Sequence, residues 1–332
     1  MTLLAFTGWH GRTEDFKFTD SVFLTDANAR TQSSFGVSSF LVDLPAAQED
    51  DGMTVGMGIW PVLPGSGINN ALIFSGDNAA TPHITIDIDG SGRLVVRRGA
   101  GGIGTIILTT DPYLAFTGWK YLEVSLKIDD AAGFVTLKLD ENTVGSVSGV
   151  DTRNGGADAL IDRLACLPAP ANLRWSDFYL LSEAGSAPYN TFLGDCRVWE
   201  LFPNGAGNYT QLTPIGSGTN WQNVDDNPPS MTDRNEHATV GNKDTYTMDN
   251  LTPPVGTVYA IQSVLFASKS DSGAKSIRPV FRRAGVDGTG ADQVLSTSED
   301  ALWEIFITDP TDASALTITK VNDMELGAEV RA

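Results

Sequence analysis

Apolar and polar residues alternate along much of the chain with a period of two, which is the spacing of a half-buried β-strand. The clearest case covers residues 83–88, followed by the turn 89–92 (Asp-Gly-Ser-Gly) and a second alternating run over 93–97. A Gly-rich turn between two such runs predicts a β-hairpin.

A second group of strands is predicted further along the chain. Residues 119–128 supply apolar bulk with a change of phase near Leu122, and 134–139 return after the loop 129–133 with Phe134, Thr136 and Lys138 on one face. A short strand over 143–147 continues the meander. Other predicted strands cover 38–42, 54–59, 72–74, 105–108, 177–181, 197–201, 244–248, 258–268, 276–283, 293–296, 301–308, 316–321 and 325–331.

Only one helix is predicted, over 156–166, where Leu160, Ile161 and Leu164 fall at helical spacing and Pro168 would end it. An edge strand over the same residues is the alternative. The stretch from 203 to about 242 is rich in Asn, Gly, Pro and Thr and has little periodicity. The pattern therefore predicts an all-β chain with a sandwich over 1–205, an extended loop-rich connection over 206–242, and a smaller β-sandwich over 243–332.

Composition limits the function. The 332 residues include 34 glycines and 16 prolines, which favour many tight turns, and 41 acids against 22 bases give a net charge of −19. Such a surface repels phosphate backbones, so no nucleic-acid partner is expected, and it suits a component present in many copies. No apolar run is long enough to span a bilayer, and the N-terminus does not resemble a secretion signal, so no membrane insertion is expected.

The cysteines and histidines do not indicate a catalytic or metal-binding site. Cys166 and Cys196 lie in largely apolar runs, where a disulfide is an option and buried free thiols are favoured for a chain without an export signal. His10, His83 and His237 are dispersed, with no metal-type spacing and no GxSxG motif for a serine nucleophile. No metal site is predicted.

Two motifs resemble ligand sites. Residues 99–104 spell GxGxxG, but a β-branched run follows where a dinucleotide site needs a helix, which favours a loop between strands. Residues 87–92 resemble the start of a calcium loop, but Arg98 stands where a calcium loop places its bidentate Glu, which favours a hairpin turn. No cofactor is predicted.

Glycoside hydrolysis is the main enzymatic alternative, because it needs two carboxylates close together. The strand acids nearest to this pattern are Glu123 and Glu304, and neither has a second acid at i+2 or i+4. Each is therefore expected to be a solvated strand residue, and the chain is not expected to be an enzyme.

Aromatic residues in loops can stack on sugar rings. Trp175, Tyr189, Tyr209 and Trp221 lie in or beside predicted loops and are the candidate contacts with a glycan or a protein partner. The competing interpretation is that they anchor long loops to the sandwich.

Two stretches resemble known families. The 119–147 meander, opening Trp-Lys-Tyr, resembles the concanavalin A-like (laminin G-type) jelly rolls of phage virion proteins, although Asp140-Glu141-Asn142 replaces the usual Asn-Gly turn. A more specific series resembles a widespread family of phage and prophage structural proteins and covers roughly residues 30–332. It comprises DFYLL (177–181), LGDCRV (193–198), PNGAGNY (203–209), NWQNVD (220–225) and VGNKDTY (240–246).

The resemblance implies a virion location and two β-sandwiches in tandem, the first a concanavalin A-like jelly roll. It supplies no catalytic residues. The leading hypothesis is a bacteriophage virion structural protein (a tail, fibre or capsid-decorating subunit), assembled in the bacterial host cytoplasm with other virion proteins and copies of itself. The alternative is a carbohydrate-binding adhesion module that contacts host surface glycans, and the least favoured is a glycan hydrolase.

Overall fold

The computed structural model describes residues 3–7, 16–18, 23–24, 35–36, 40–44, 49–61, 65–114, 118–166, 173–216, 218–226, 230, 232–252 and 256–332. The chain divides into two compact units between Trp199 and Glu200. Strands dominate both units and every strand pairing is antiparallel within the described residues, so the predicted all-β fold class is confirmed.

The described residues of the first unit form fifteen strands. They are β1 (Leu3–Thr7), β2 (Phe16–Phe18), β3 (Phe23–Leu24), β4 (Phe35–Gly36), β5 (Phe40–Asp43), β6 (Gly52–Pro61), β7 (Ile68–Gly76), β8 (Thr81–Ile88), β9 (Arg93–Arg98), β10 (Thr105–Pro112), β11 (Lys120–Lys127), β12 (Gly133–Leu139), β13 (Asn142–Val150), β14 (Arg163–Cys166) and β15 (Leu173–Ser182).

These strands form a two-sheet sandwich of the predicted jelly-roll type. The eight-stranded sheet has the order β13-β12-β11-β6-β15-β4-β3, with β1 also paired to β15, and the seven-stranded sheet has the order β10-β9-β8-β7-β14-β5-β2. Apolar side chains from both sheets, including Met57, Phe74, Ile86 and Val124, are fully buried in one core cluster. Removing this apolar surface from water is the main stabilising contribution to the sandwich.

The two hairpins predicted most clearly are confirmed. β8 pairs with β9, and β11 pairs with both β12 and β6. On β12 the alternation is regular, with Val135, Leu137 and Leu139 buried and Phe134, Thr136 and Lys138 half-buried on the other face.

The helix predicted over 156–166 is wrong. Residues Arg163–Cys166 form β14, which pairs with β5 and β7 inside the seven-stranded sheet. Leu164, Ala165 and Cys166 are all buried, so this stretch shows no alternation of apolar and polar residues. A short continuous apolar run of this kind cannot be distinguished from a helix by periodicity.

Within the part that the structure describes, the second unit has ten strands, a 3₁₀ turn and one short helix. They are β16 (Pro203–Thr210), β17 (Thr213–Ile215), the 3₁₀ turn (Trp221–Asn223), β18 (Arg234–Glu236), β19 (Lys243–Met248), β20 (Ile261–Ala267), β21 (Ser276–Arg283), β22 (Val286–Thr289), β23 (Gln293–Val294), β24 (Asp300–Phe306), α1 (Ile318–Asn322) and β25 (Glu325–Arg331).

A six-stranded sheet with the order β16-β19-β25-β21-β22, and β23 also on β21, forms the body of this unit. The β20–β24 ribbon packs against it through the rings of Phe281 and Phe306, whose centroids are 4.6 Å apart. This gives the smaller second sandwich that the sequence predicted. The strand predicted over 316–321 is wrong, because Thr317 caps α1 by accepting a hydrogen bond from the Lys320 N–H.

The segment 206–242, predicted as a loop-rich connection, contributes β17, β18 and most of β16 to the second unit. The structural division falls a few residues before the predicted boundary near residue 205. Residues 197–201, predicted as a strand, form none. Gly and Asn weaken the apolar alternation of β16, which is why its pairing with β19 was not recognised.

Candidate functional site

One face of the eight-stranded sheet carries a group of buried polar side chains. On β11, Leu122 and Val124 point into the sandwich core, so strand alternation places Tyr121 and Glu123 on the opposite face, here called the outer face. Glu123 is 0% exposed. The prediction of a solvated Glu123 is therefore wrong.

A bulge in β15 brings a second acid to the outer face. Trp175 and Phe178 both belong to the core although they are three residues apart. The register against β6 shifts between Ser176 and Tyr179, and Asp177 takes a φ of 51°. The extra residue in the bulge changes the direction of the side chains, so that Asp177 and Tyr179 join Glu123.

Residues 192–198 cover this face, and we call this segment the strap. It has no regular secondary structure, and its backbone N–H groups donate to side chains of the sheet. Its residues are half-buried or exposed, whereas the polar groups below are buried. Three of these bonds reach buried groups, from Leu193 N–H to Tyr179 Oη at 3.1 Å, Gly194 N–H to Glu123 Oε1 at 2.9 Å and Val198 N–H to Asp177 Oδ1 at 3.0 Å. A fourth and longer bond runs from Asp195 N–H to Glu141 Oε1 at 3.5 Å.

The groups beneath the strap also contact one another. Tyr179 Oη donates to Glu123 Oε1 at 2.5 Å, and Tyr121 Oη donates to the Asp177 carbonyl at 3.0 Å. Glu123 Oε2 is buried and has no hydrogen-bond partner among the described residues. Burial, aided by the Glu123 charge, raises the pKa of the Cys196 thiol to about 12 and raises that of Tyr179 as well.

A second buried acid organises the loop-rich part of the second unit. Asp244, at the start of β19, accepts the backbone N–H groups of Gln211 at 2.6 Å and Leu212 at 2.9 Å through Oδ1. Its Oδ2 accepts from Asn220 Nδ2 at 2.5 Å and from Tyr246 Oη at 3.1 Å. One carboxylate thus holds together the end of β16, the NWQNVD stretch and β19.

Two asparagines extend this network. Asn223 Nδ2 donates to the carbonyls of Ile215 at 3.2 Å and Arg234 at 3.0 Å, bridging the ends of β17 and β18. Asn235 Nδ2 donates to the Asn220 carbonyl at 2.7 Å and to Tyr246 Oη at 2.9 Å. Buried polar groups that are paired in this way fix one arrangement of a loop.

Tyr209 is held by two cations. Lys243 Nζ lies 4.1 Å and Arg282 Cζ lies 5.1 Å from its ring centroid, within the range of cation–π attraction. Both cations also bind Asp287. Partial burial acts to raise the pKa of Asp287, but hydrogen bonds from these cations hold it below its usual value. The arrangement matches the anchoring interpretation of Tyr209.

The four predicted contact aromatics do not form one site. Trp175 is 0% exposed in the core of the first unit, so it offers no face to a glycan; it belongs to β15 and not to a loop. Tyr189 is half-buried in the same unit, whereas Tyr209 and Trp221 are half-buried in the second unit.

The motifs that resembled ligand sites have structural roles. Asp87 accepts from the N–H groups of Asn70 at 2.9 Å and Gly102 at 2.8 Å and from Arg97 Nε at 2.8 Å, and so braces the glycine turn between β9 and β10. Asp89 Oδ1 accepts from Ser91 N–H at 2.8 Å and closes the β8–β9 hairpin. The loop and turn predicted over these residues are confirmed.

Both cysteines are free, as predicted, but Cys166 alone is buried and Cys196 is half-buried. His83 is buried in the first unit, His237 is exposed, and His10 lies outside the described residues. No group of three or more His, Cys, Asp or Glu side chains within the described ranges is arranged to hold a metal. In the same ranges, no helix has the length and apolarity to cross a membrane.

Buried His83 gives a pH prediction. Burial lowers its pKa, reinforced by Arg153 and opposed by Asp77, Asp158 and Asp162. His83 becomes protonated below pH about 6.5 in the unfolded chain, but only at a lower pH in the folded chain. The folding stability that is present above pH about 6.5 is therefore lost as the pH falls towards the folded pKa. We expect His83→Gln to flatten this loss, measured by urea unfolding of the first unit from pH 7.5 to 5. Equal slopes for both proteins would contradict the prediction.

Sequence reasoning missed Glu123, Asp177 and Asp244 as buried acceptors. One signal was available for the first: Tyr121 and Leu122 are adjacent large apolar residues, so both faces of β11 had to be covered. Asp177 depends on a bulge and Asp244 on a loop more than 20 residues away in sequence, and local patterns do not encode either.

Comparison with known proteins gave matches only among solved structures. No protein-family profile matches the chain, and no curated protein matches it. One structural match is a carbohydrate-binding module, CBM66 from Bacillus subtilis, with 13% identity and a TM-score of 0.31, covering 51% of this chain and 92% of that one.

Two other matches come from different contexts. The CBM2 module of the evolved Dit protein of Lactobacillus casei BL23 phage J-1 shares 11% identity at a TM-score of 0.36, covering 54% of this chain and 95% of that one. A Trypanosoma rangeli sialidase shares 12% identity at a TM-score of 0.32, covering 44% of this chain and 24% of that one. At these scores the similarities carry no inference about function.

Proposed function

We propose that the chain is a structural subunit of a bacteriophage particle, a tail, fibre or capsid-decorating protein that acts through contacts with other virion proteins and with copies of itself. The observation that carries the proposal is the structural role of two acids in the stretches that resemble phage structural proteins. Asp177 accepts one backbone N–H group and Asp244 accepts two, in each case from an irregular segment that is thereby attached to a sheet.

Carboxylates that hold irregular segments in place favour a structural role for the chain. A buried carboxylate is costly unless hydrogen bonds satisfy it, and here the bonds of Asp244 hold the NWQNVD stretch in a single position. A particle subunit needs its loops fixed so that neighbouring copies meet the same surface each time.

Exposed apolar side chains support a role in protein contacts. Ile103 is 87% exposed on the glycine turn braced by Asp87, Ile106 on β10 is 53% exposed, and Val294 on β23 is 75% exposed. Apolar residues displayed on a rigid turn lose little conformational freedom when a partner covers them.

The direct test is the composition of the particle. Virions purified from the phage or prophage that encodes the chain are expected to contain it at a fixed copy number by quantitative mass spectrometry. Electron cryo-microscopy would then assign it to the tail, fibre or capsid surface. Its absence from purified particles that still infect would overturn the proposal.

We also propose that the chain is not an enzyme. Glu123 lies beneath the strap, and Glu304 accepts the Ala291 N–H at 2.8 Å in the other unit. Polysaccharide hydrolysis assays test this, with Glu123→Gln and Glu304→Gln as variants. Activity in the wild-type chain that either variant abolishes would contradict the proposal.

The glycan-binding alternative has one favourable observation, which is that Tyr189 and Trp221 keep part of their surface exposed. A glycan array probed with the full chain distinguishes the two functions. Binding that is lost in Tyr189→Ala or Trp221→Ala would assign an adhesive role, whereas no binding leaves protein contacts as the function.

A further inference from the structure

We infer that the strap, residues 192–198, opens as one unit from the outer face of the eight-stranded sheet while the sandwich below it stays folded. The carboxyl groups of Glu123 and Asp177 hold it closed by accepting hydrogen bonds from its backbone. This inference concerns a movement inside the first unit and does not depend on the virion assignment.

The first support is the kind of contact that holds the strap. Its backbone N–H groups donate to the side chains of Tyr179, Glu123, Asp177 and Glu141. The core cluster lies on the other side of the sheet and contains no strap residue among those described. Segments with few buried apolar contacts open at much lower free energy than the strands they cover.

The second support is the state of Glu123 when the strap is closed. Its Oε2 is buried and has no hydrogen-bond partner among the described residues, which is unfavourable for a carboxyl group. Opening gives this oxygen water partners, and it also hydrates the Asp177 carboxylate. This hydration offsets part of the free energy lost with the strap hydrogen bonds, so the closed and open states are closer in free energy than those bonds alone indicate.

A third contact locates the edges of the moving segment. Lys138 Nζ lies 4.3 Å from the centroid of the Phe192 ring at one end, and Val198 bonds to Asp177 at the other. Between them, Arg197 pairs with Asp195 inside the strap, so this ion pair can move with it. Opening therefore breaks the contacts of Phe192 and Val198 with the sheet but keeps the Arg197–Asp195 pair.

The chain carries its own probe of this movement. Cys196 lies in the strap, where burial raises the pKa of its thiol to about 12, so that little reactive thiolate forms until the strap opens. Cys166 lies fully buried in β14 and reacts only when the seven-stranded sheet opens. These are the two cysteines of the chain.

The experiment follows thiol labelling by a disulfide reagent in the full chain and in the Cys166→Ala and Cys196→Ala variants. We expect Cys196 to react at least about 100-fold faster than Cys166 without denaturant, with a weaker dependence on urea. Equal rates with the same urea dependence would show that the strap opens only with the whole unit and would overturn the inference.

Paired substitutions of Glu123 and of Asp177 separate the opening of the strap from a change in the pKa of the Cys196 thiol. Glu123→Gln and Glu123→Ala remove the same charge, but only alanine removes the acceptor of the Gly194 N–H. We expect Cys196 to react at least about 10-fold faster in the alanine variant than in the glutamine variant. Asp177→Asn and Asp177→Ala form the second pair. Identical Cys196 labelling rates within both pairs would show that Glu123 and Asp177 do not hold the strap closed.

Hydrogen exchange on the wild-type chain needs no variant and covers the case in which an alanine variant fails to fold. The amides of Leu193, Gly194 and Val198 are expected to show one common free energy of opening, lower than that of the amides of β11 and β15. A free energy of opening as high as that of β11 would contradict separate opening.

Discussion

Replacing Asp244 with alanine is expected to destabilise the second unit by about 3 kcal/mol, because it leaves several buried donors without an acceptor. The backbone N–H groups of Gln211 and Leu212 and the side chain of Asn220 all depend on this carboxylate. Hydrogen exchange read by mass spectrometry should show protection lost over 203–248 and kept over 120–139, which belongs to the other unit.

Asp226 provides the matched control for this prediction. It is an exposed acid in the same stretch of chain, so Asp226→Ala removes an equal charge without removing the buried acceptor. We expect its effect to stay within about 0.5 kcal/mol. If the two variants lose equal stability, net charge and not the Asp244 network holds this region together.

Replacing Gly56 with alanine should have an effect of similar size in the first unit. Gly56 lies on β6, opposite both Tyr179 on β15 and Glu123 on β11. A Cβ at this position would overlap the Tyr179 ring at Cε1. The ring must then leave its place, and with it the bonds from Tyr179 to Glu123 and from Leu193 to Tyr179 are lost. We expect a loss of about 3 kcal/mol in urea unfolding.

Two further variants test the cause of that loss. Gly65→Ala introduces the same methyl group where no atom lies within 4 Å, so its stability should stay close to that of the wild-type chain. In a Tyr179→Ala background the overlap disappears, and Gly56→Ala should then cost much less. An unchanged cost in that background would assign the effect to the β6 backbone and not to the ring.

The sequence predicted those strands whose pattern is local. The β8–β9 hairpin and the β11–β12–β13 meander combine regular alternation with a turn rich in Gly, Asp or Asn, and both signals lie within a few residues of the strands. Fold class follows from the same signals repeated along the chain. The error over 156–166 has the opposite origin, because β14 is covered on both faces and so lacks alternation.

The buried polar network could not be predicted in the same way. Trp175 was placed in a loop and Asp177 at the start of a strand because the bulge in β15 interrupts the alternation that identifies a strand. Glu123 was expected in water, although Tyr121 beside Leu122 indicated that both faces of β11 are covered; the sequence pattern does not show that residues about 70 positions later provide the cover. Long-range contacts decide the environment of such residues, and a periodic pattern reports only the faces of one element.

The position of the strap has a mechanical consequence. It ends two residues before the second unit begins at Glu200, so a pulling force transmitted from that unit reaches the strap before it reaches any strand of the first sandwich. Release of its seven residues would lengthen the chain segment between the first sandwich and the second unit by up to about 23 Å, at roughly 3.3 Å per residue. The protein could then extend under load and recover, with both β-sheets of the first unit left unbroken.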